Sequence, residues 1–472
     1  LQELSLELKP VYAWTAILAL VGFTALCLLA HVGGILRLAY PAGCFLVGVL
    51  LYFRYPILYV GFTWWVWFLS AFVRRLVDVQ SGWVDPSPIL LAPFLTTLVT
   101  IVTLVRYLPR AYRQGGLPFI LALMGVFYGF LVGLVKDSPM AVAVPMLNWL
   151  TPVLFGLHLF VNWQDYPRYR QNMQRVFIWG VLVMGIYGVV QYLVAPGWDR
   201  FWLSNQETLT FGTPEPLGIR VFSTMQSPQP FAFVMGAGLI LLFSCEGVLR
   251  FFAAGGGYLS FLLSLARSAW LGWFMSLALF IPSLKPRLQI RLIVTLMVMA
   301  LLVLPLTTVE PFASVINTRL NSLVNVQNDD SYSARSAGYS QAFGLAVTQV
   351  IGKGLGGTIA SDDLGGNDSG VLTLLFLLGW FGTLFYLSGL VLLTLNLSQK
   401  IGPGTDLFVS ASRAIALGAF VQIGLNNVML SVFGMVLWGF LGMILAAQRY
   451  YYWHQRMLQL EEFHAMSAAP DG

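Results

Sequence analysis

The sequence predicts an all-α, polytopic helical membrane protein, with about 12–14 transmembrane helices and one large, partly helical loop on the outer face. The first observation is composition. Hydrophobic residues make up 58% of the chain and charged residues 10%, whereas a soluble domain is about a quarter charged. Too few polar side chains exist to cover a water-facing surface, and the mean hydropathy of +0.76 agrees. The second is that long apolar runs recur from end to end of the 472 residues, as spanning helices require. The third is that the alternation of a β-barrel is absent.

In chain order, about fourteen apolar segments are marked: 11–30, 38–53, 56–73, 89–106, 117–135, 141–162, 176–195, 229–249, 251–266, 269–284, 291–308, 370–395, 411–430 and 433–448. Several fall short of the ~20 residues of a full span, so some are expected to be tilted, re-entrant or merged. The chain is read as one integral-membrane domain, 1–472, whose largest soluble element is the loop 309–369. It opens at Leu1, so an initiator methionine or a tag is expected to have been trimmed. No cleavable signal is expected, because the first apolar run continues into further spans.

Orientation follows from the cations. The excess of 26 Lys and Arg over 20 Asp and Glu, a formal charge of +6, reports membrane orientation rather than nucleic-acid binding. With the N-terminus in the cytoplasm, that side receives Lys9, Arg54, "RYLPRAYR", "YPRYRQNMQR", Arg250, "KPRLQIR", Lys400, Arg413, Arg449 and Arg456, 16 of the 26 cations. The other side receives ten, five of them in two long loops that the positive-inside rule hardly counts. Both termini are therefore expected in the cytoplasm. Cys27, Cys44 and Cys245 have no metal-ligand spacing and read as packing residues. The four histidines, His31, His158, His454 and His464, form no cluster.

This topology places Arg267, in "SLARSAWLG", at a very short outer turn between two spans. The long loops 196–228 and 309–369 lie on the same face. The first ends "LGIRVFSTMQSPQPFAF", where Arg220 precedes Ser227 and Pro228, a helix start with Ser227 as candidate cap. Such an N-terminus is a natural anion site. The second loop has a helical stretch near 331–350, with Ser331 or Ser333 as candidate cap and Arg335 in the first turn. A cation there opposes the helix dipole, which favours a docked anion. Next, "IGKGLGG" is a glycine-rich turn suited to close approach of backbone to a ligand. It lacks the spacing of a Walker loop. "SDDLGGNDSGVL" closes the loop, with Asp368 immediately before the next span. One face thus gathers Arg220, Arg267, Arg319, Arg335 and Lys353 with Asp368. Guanidinium groups match phosphate oxygens with paired hydrogen bonds, and a carboxylate beside them accepts a proton from an attacking hydroxyl. The set suits a lipid-linked pyrophosphate, with cations stabilising the leaving group.

Four motifs in order, "RVFSTMQSPQPFA", "LARSAWLG", "SARSAGYSQAFGLAVTQVIGKGLGG" and "NDSGVLTLLFLLGWFGTLFYL", make residues about 140–450 resemble the O-antigen ligase and O-antigen polymerase superfamily. These are bacterial integral-membrane glycosyltransferases acting on undecaprenyl-pyrophosphate-linked glycans. The resemblance implies a helical fold of the C type, inversion at the anomeric carbon, and no metal or other cofactor. It places the active site on the periplasmic face of the inner membrane, with the glycan donor, a glycan or glycolipid acceptor and lipid as partners and no nucleic acid. Arg220 and Arg267 match by position the two arginines that bind pyrophosphate in these ligases. Arg319, Arg335, Lys353 and Asn367 are the expected further substrate contacts. The ligases carry a histidine, often in a His-Asn pair, just before the span after the large loop. Here that stretch reads "NDSG", and no histidine lies between His158 and His454. Asp368 stands in its place, which leans the reading toward a polymerase or a polysaccharide-acting relative whose base is a carboxylate. The expected role of Asp368 is catalytic base or acceptor-orienting group; its alternative is a cap on the helix that follows.

The competing reading is a transporter of a small anion or solute, since an arginine cluster also suits an anion route. Against it, the ionisable residues gather on one face, whereas alternating access calls for polar groups and broken helices near the midplane. Asn426 and Asn427 are the nearest polar candidates within a span; lining the outer cavity or joining helices by hydrogen bonds are their other readings.

Overall fold

A computed structural model describes residues 10–206, 211–284, 286–287, 289–290, 292–293, 297, 343–357, 369–397 and 406–467. Among them there is no strand, only a single bridged pair, Gly212 and Ile219. Among the described residues ten helices are long and apolar enough to cross a membrane, and two shorter apolar ones are Pro228–Ser244 and Leu249–Leu263. Every expected segment except 291–308, which lies almost wholly outside the described residues, coincides with a helix. Of the expected loop 309–369, the described part is 343–357 with Ser369, and 343–348 is helical.

The helices are α1 (Val11–Leu29), α2 (Leu36–Arg54), α3 (Pro56–Ser81), α4 (Ala92–Leu98), α5 (Ile101–Arg113), α6 (Leu117–Lys136), α7 (Pro139–Val161), α8 (Tyr166–Val194) and α9 (Gly197–Ser204). They continue as α10 (Pro228–Leu241), α11 (Leu249–Leu263), α12 (Arg267–Phe280), α13 (Gly370–Asn396), α14 (Leu407–Val421) and α15 (Ser431–Ser467). Proline opens α3, α7 and α10, where its missing N–H is no loss and its fixed φ suits the first turn. Ser138 caps α7 by accepting from Ala141 N, and Arg37 donates to the carbonyls of Ser81 and Gly82 at the end of α3.

The chain divides into two compact units. One comprises Leu1–Ile101 and Gln171–Ala269, the other Val102–Arg170 and Trp270–Gly472. The first unit packs α3 against α8 through aromatic rings: Phe177 meets Trp64 at 5.0 Å and Phe68 at 5.7 Å. Its shorter apolar helices are closely fitted as well, since a Cβ at Gly257 of α11 would meet Val181 of α8.

In the second unit, Gly125, Gly129 and Gly133 recur every fourth residue along α6. A Cβ at Gly125 would run into the carbonyl of Gly382 in α13, and one at Gly133 into that of Leu355. Small residues at this spacing let helix backbones approach closely where apolar burial offers no gain over lipid. Helix α13 is broken at Gly379, with φ 61° and ψ −170°. The N–H of Trp380, which would bond back to Phe376, donates instead to Val350 O at 3.0 Å. The carbonyls of Phe376 and Leu377 accept from Lys353 N at 2.6 Å and Gly354 N at 2.9 Å. Non-helical backbone at membrane depth is tolerated only where protein or water satisfies it, and here the segment 350–354 does so.

An ionic cluster ties α8, α14 and α15 together. Asp406 Oδ2 accepts from Tyr166 OH (2.8 Å), Arg170 Nη1 (3.0 Å) and Tyr451 OH (2.8 Å), while Oδ1 caps α14 through Phe408 N (3.0 Å). Asp406→Ala strips the cap and leaves two phenols and a guanidinium without their acceptor. We expect a loss of about 2–4 kcal/mol, the Arg170 share being reduced by its exposure. Asp406→Asn keeps the cap and loses less. Thermal melting of the two variants in detergent checks the order.

Candidate functional site

The turn between α11 and α12 is three residues long, Ser264–Leu265–Ala266, and Leu265 takes the left-handed conformation at φ 51°. Arg220 lies across it. Its Nε donates to Ser264 O at 3.3 Å and its Nη2 to Leu265 O at 3.1 Å. These carbonyls follow the end of α11, where a cation is favoured by the helix dipole. The next residue but one is Arg267, which opens α12 and is half-buried. So the Arg220 side chain lies on the turn that leads into Arg267, although the two residues are far apart in sequence. Arg220 is itself held by its backbone: its N–H donates to Phe211 O at 2.9 Å, and Val221 N to Leu263 O at 3.1 Å.

Helix α10 starts beside the same turn, because Gln229 Nε2 donates to Ser268 Oγ at 2.7 Å. Two helix N-termini are thereby tied together. Each contributes partial positive charge, and Arg267 adds a cation to the first turn of α12. That is costly for an isolated helix and favourable once an anion docks. Ser227 holds the N-cap position of α10 as expected, but its hydroxyl makes no cap bond. The reason is local: the third helical residue is Pro230, whose N–H, one of the two a serine cap serves, does not exist.

Lys353 belongs to the second unit. Its Nζ lies 5.4 Å from the centroid of the Phe376 ring, and its N–H is spent on the break in α13. The close backbone approach expected of "IGKGLGG" is made, but to protein. Gly352, Gly354 and Gly356 all have positive φ. Leu355 N donates to Gly129 O at 2.9 Å, Tyr128 OH to Ile351 O at 3.1 Å and Lys136 Nζ to Gly352 O at 2.6 Å. Arg319, Arg335, Asn367 and Asp368 lie outside the described residues. The N-cap position of α13 falls to Ser369, whose carbonyl accepts from Thr373 N at 2.9 Å. Asn426 and Asn427 lie in the connection between α14 and α15 and not within a helix. Asn427 Nδ2 donates to Thr373 Oγ1 at 3.3 Å and Asn426 Nδ2 to Gln422 Oε1 at 3.3 Å, so of their expected readings hydrogen bonding between elements is the one seen.

A buried polar network in the first unit lies beyond residue 73, the expected end of the third span. Helix α3 runs on to Ser81 and carries Arg74, Arg75 and Asp78 inside the protein. Arg74 pairs with Asp78 at 3.1 Å and Asp85 at 3.0 Å, and Arg75 pairs with Asp199 at 2.9 Å. The signal was present in "FVRRLVD", where an arginine and an aspartate stand four residues apart on one helical face. Among the described residues no group of three or more His, Cys, Asp or Glu side chains is placed to hold a metal.

These helices define a multi-pass helical membrane protein. No protein-family model matches the chain, and no curated protein matches it either.

Proposed function

We propose that the chain is a membrane glycosyltransferase of the O-antigen ligase and polymerase kind, which polymerises or ligates undecaprenyl-pyrophosphate-linked glycan. The observation that carries this reading is Arg220 lying on the turn that presents Arg267, at the joined N-termini of α10 and α12. Two guanidinium groups and two helix ends suit a pyrophosphate that gains charge as it leaves. An acceptor hydroxyl attacks the anomeric carbon from the face opposite the pyrophosphate. The new C–O bond forms as the anomeric C–O bond to phosphorus breaks, and undecaprenyl pyrophosphate departs with the bonding pair. The hydroxyl proton passes to the carboxylate of Asp368. We place this chemistry on the periplasmic face of the bacterial inner membrane, with both termini cytoplasmic. Arg319, Arg335, Lys353 and Asn367 complete the expected substrate contacts.

The break in α13 is the one observation that favours a transporter, since broken helices carry the substrate site in many of them. Its freed groups are filled by the main chain of 350–354, which leaves the arginine turn as the stronger anion site. The glycan profile of cells lacking the protein separates the readings. Loss of long chains with single repeats retained is the expected result. Long chains that stay lipid-linked assign a ligase. Unchanged glycan with lost solute uptake overturns the proposal in favour of transport.

A further inference from the structure

Between Arg220 and α10 the main chain takes an irregular path, and side chains of α3 and α8 hold it at almost every step. Ser223 sits at φ 50°, a left-handed conformation that is strained for a non-glycine residue and persists only where its surroundings enforce it. Gln191 Oε1, on α8, accepts from Phe222 N at 3.0 Å and Ser223 N at 2.7 Å. Ser223 Oγ donates to Met184 O at 2.6 Å. Arg75, on α3, does the rest. Its Nη1 donates to Met225 O at 2.6 Å, its Nη2 to Ser223 O, and its CZ lies 4.7 Å from the centroid of the Phe222 ring. The remaining edge of the guanidinium faces Asp199 Oδ1 at 2.9 Å, and Asp199 Oδ2 accepts from Tyr187 OH at 2.6 Å.

Arg75 is 1% exposed and Asp199 fully buried. A buried ion pair brings little net stability over apolar side chains of the same volume, because desolvation offsets the attraction. What the pair supplies is direction. A planar fork with fixed donors binds two carbonyls of one loop, and the carboxylate behind it stops the fork from turning. That loop carries Arg220 at one end and Gln229, the link to α12, just past the other.

We propose that Arg75, backed by Asp199 and joined by Gln191, is a positioning residue for the arginine turn. It fixes the path of residues 222–225 so that Arg220 and the start of α10 meet α12 in the geometry that receives the pyrophosphate. This inference rests on the glycosyltransferase reading above. Arg75 is too deeply buried to touch substrate, and its effect is exerted through the loop.

The test uses the full chain, purified in lipid, with a lipid-pyrophosphate-linked glycan as donor, and compares Arg75→Lys and Gln191→Met with the parent. Lysine keeps the charge and loses the fork; methionine keeps the shape and loses the acceptor for two N–H groups. Displacement of a site by about 1 Å costs on the order of 10²-fold in rate. We expect kcat of the folded fraction to fall by about that factor in each variant, with KM little changed, beside a lower melting temperature from the buried hydrogen bonds lost. Because both variants release the same loop, the double variant is expected to be little slower than either single one. A role in stability alone lowers the melting temperature and leaves kcat of the folded fraction at the parental value, and that result overturns the inference. If Arg75→Lys does not fold, Gln191→Met decides by itself, as a neutral change of similar volume. A parent that transfers no glycan from the donor removes the glycosyltransferase reading and this inference with it. A parent that transfers normally beside variants that do the same removes the inference alone.

Discussion

Replacing Arg220 or Arg267 with alanine is expected to lower glycan transfer by about 10²–10³-fold, the usual consequence of removing one preorganised donor from a developing oxyanion. The two positions are not equivalent. Arg267 opens α12, and Arg267→Ala is expected to lose activity. Arg220 also binds the carbonyls of Ser264 and Leu265. Arg220→Ala is expected to lose activity together with some stability, by about 0.5–1.5 kcal/mol for each hydrogen bond to the turn. Arg220→Lys retains a charge but not two parallel donors, so its activity is expected to fall between parent and alanine. The check is transfer per folded molecule, read beside thermal melting. Full transfer by folded Arg267→Ala removes the pyrophosphate role from this turn.

The largest loss of stability is expected from Gly379→Ala. At φ 61° and ψ −170° the backbone of Gly379 lies in a region essentially closed to side-chain-bearing residues. A Cβ there would also run into the backbone of Ile351 and Gly352. The break cannot heal into regular helix without displacing the segment that fills it, since Val350 O, Lys353 N and Gly354 N would each lose a partner. Backbone strain of about 1–3 kcal/mol, added to the displaced segment, is expected to exceed about 4 kcal/mol in total. Gly424→Ala is the control, because nothing lies within 4 Å of a Cβ at that position. The two variants are compared by melting temperature and by the yield of monodisperse protein in detergent. Equal behaviour would show that the break does not depend on its glycine.

Much of the fold was written in local sequence. Apolar runs of spanning length announce helices because lipid leaves the backbone no other partner, and helices stand at the segments so read wherever the chain is described. Proline at the first position of α10 acts within one turn of chain, so it too was legible, whereas the cap bond expected of Ser227 is not made. The arginine before α10 and the arginine opening α12 were singled out by residue type and order alone.

Tertiary structure decided which polar groups meet. Whether "IGKGLGG" faces a ligand or a helix depends on a break in α13 that hydropathy cannot register, because glycine is equally at home in a helix between packed neighbours and at a kink. That Arg220 spends its donors on carbonyls of a distant turn, and that Arg75 grips a loop far along the chain, follow from the packing of α3, α8, α10 and α11. Hydrophobic patterning is a property of neighbours in sequence and fixes where helices begin and end. The partner of a buried charge is set by neighbours in space, since in a low-dielectric interior each such group must be satisfied by whatever the fold brings to it.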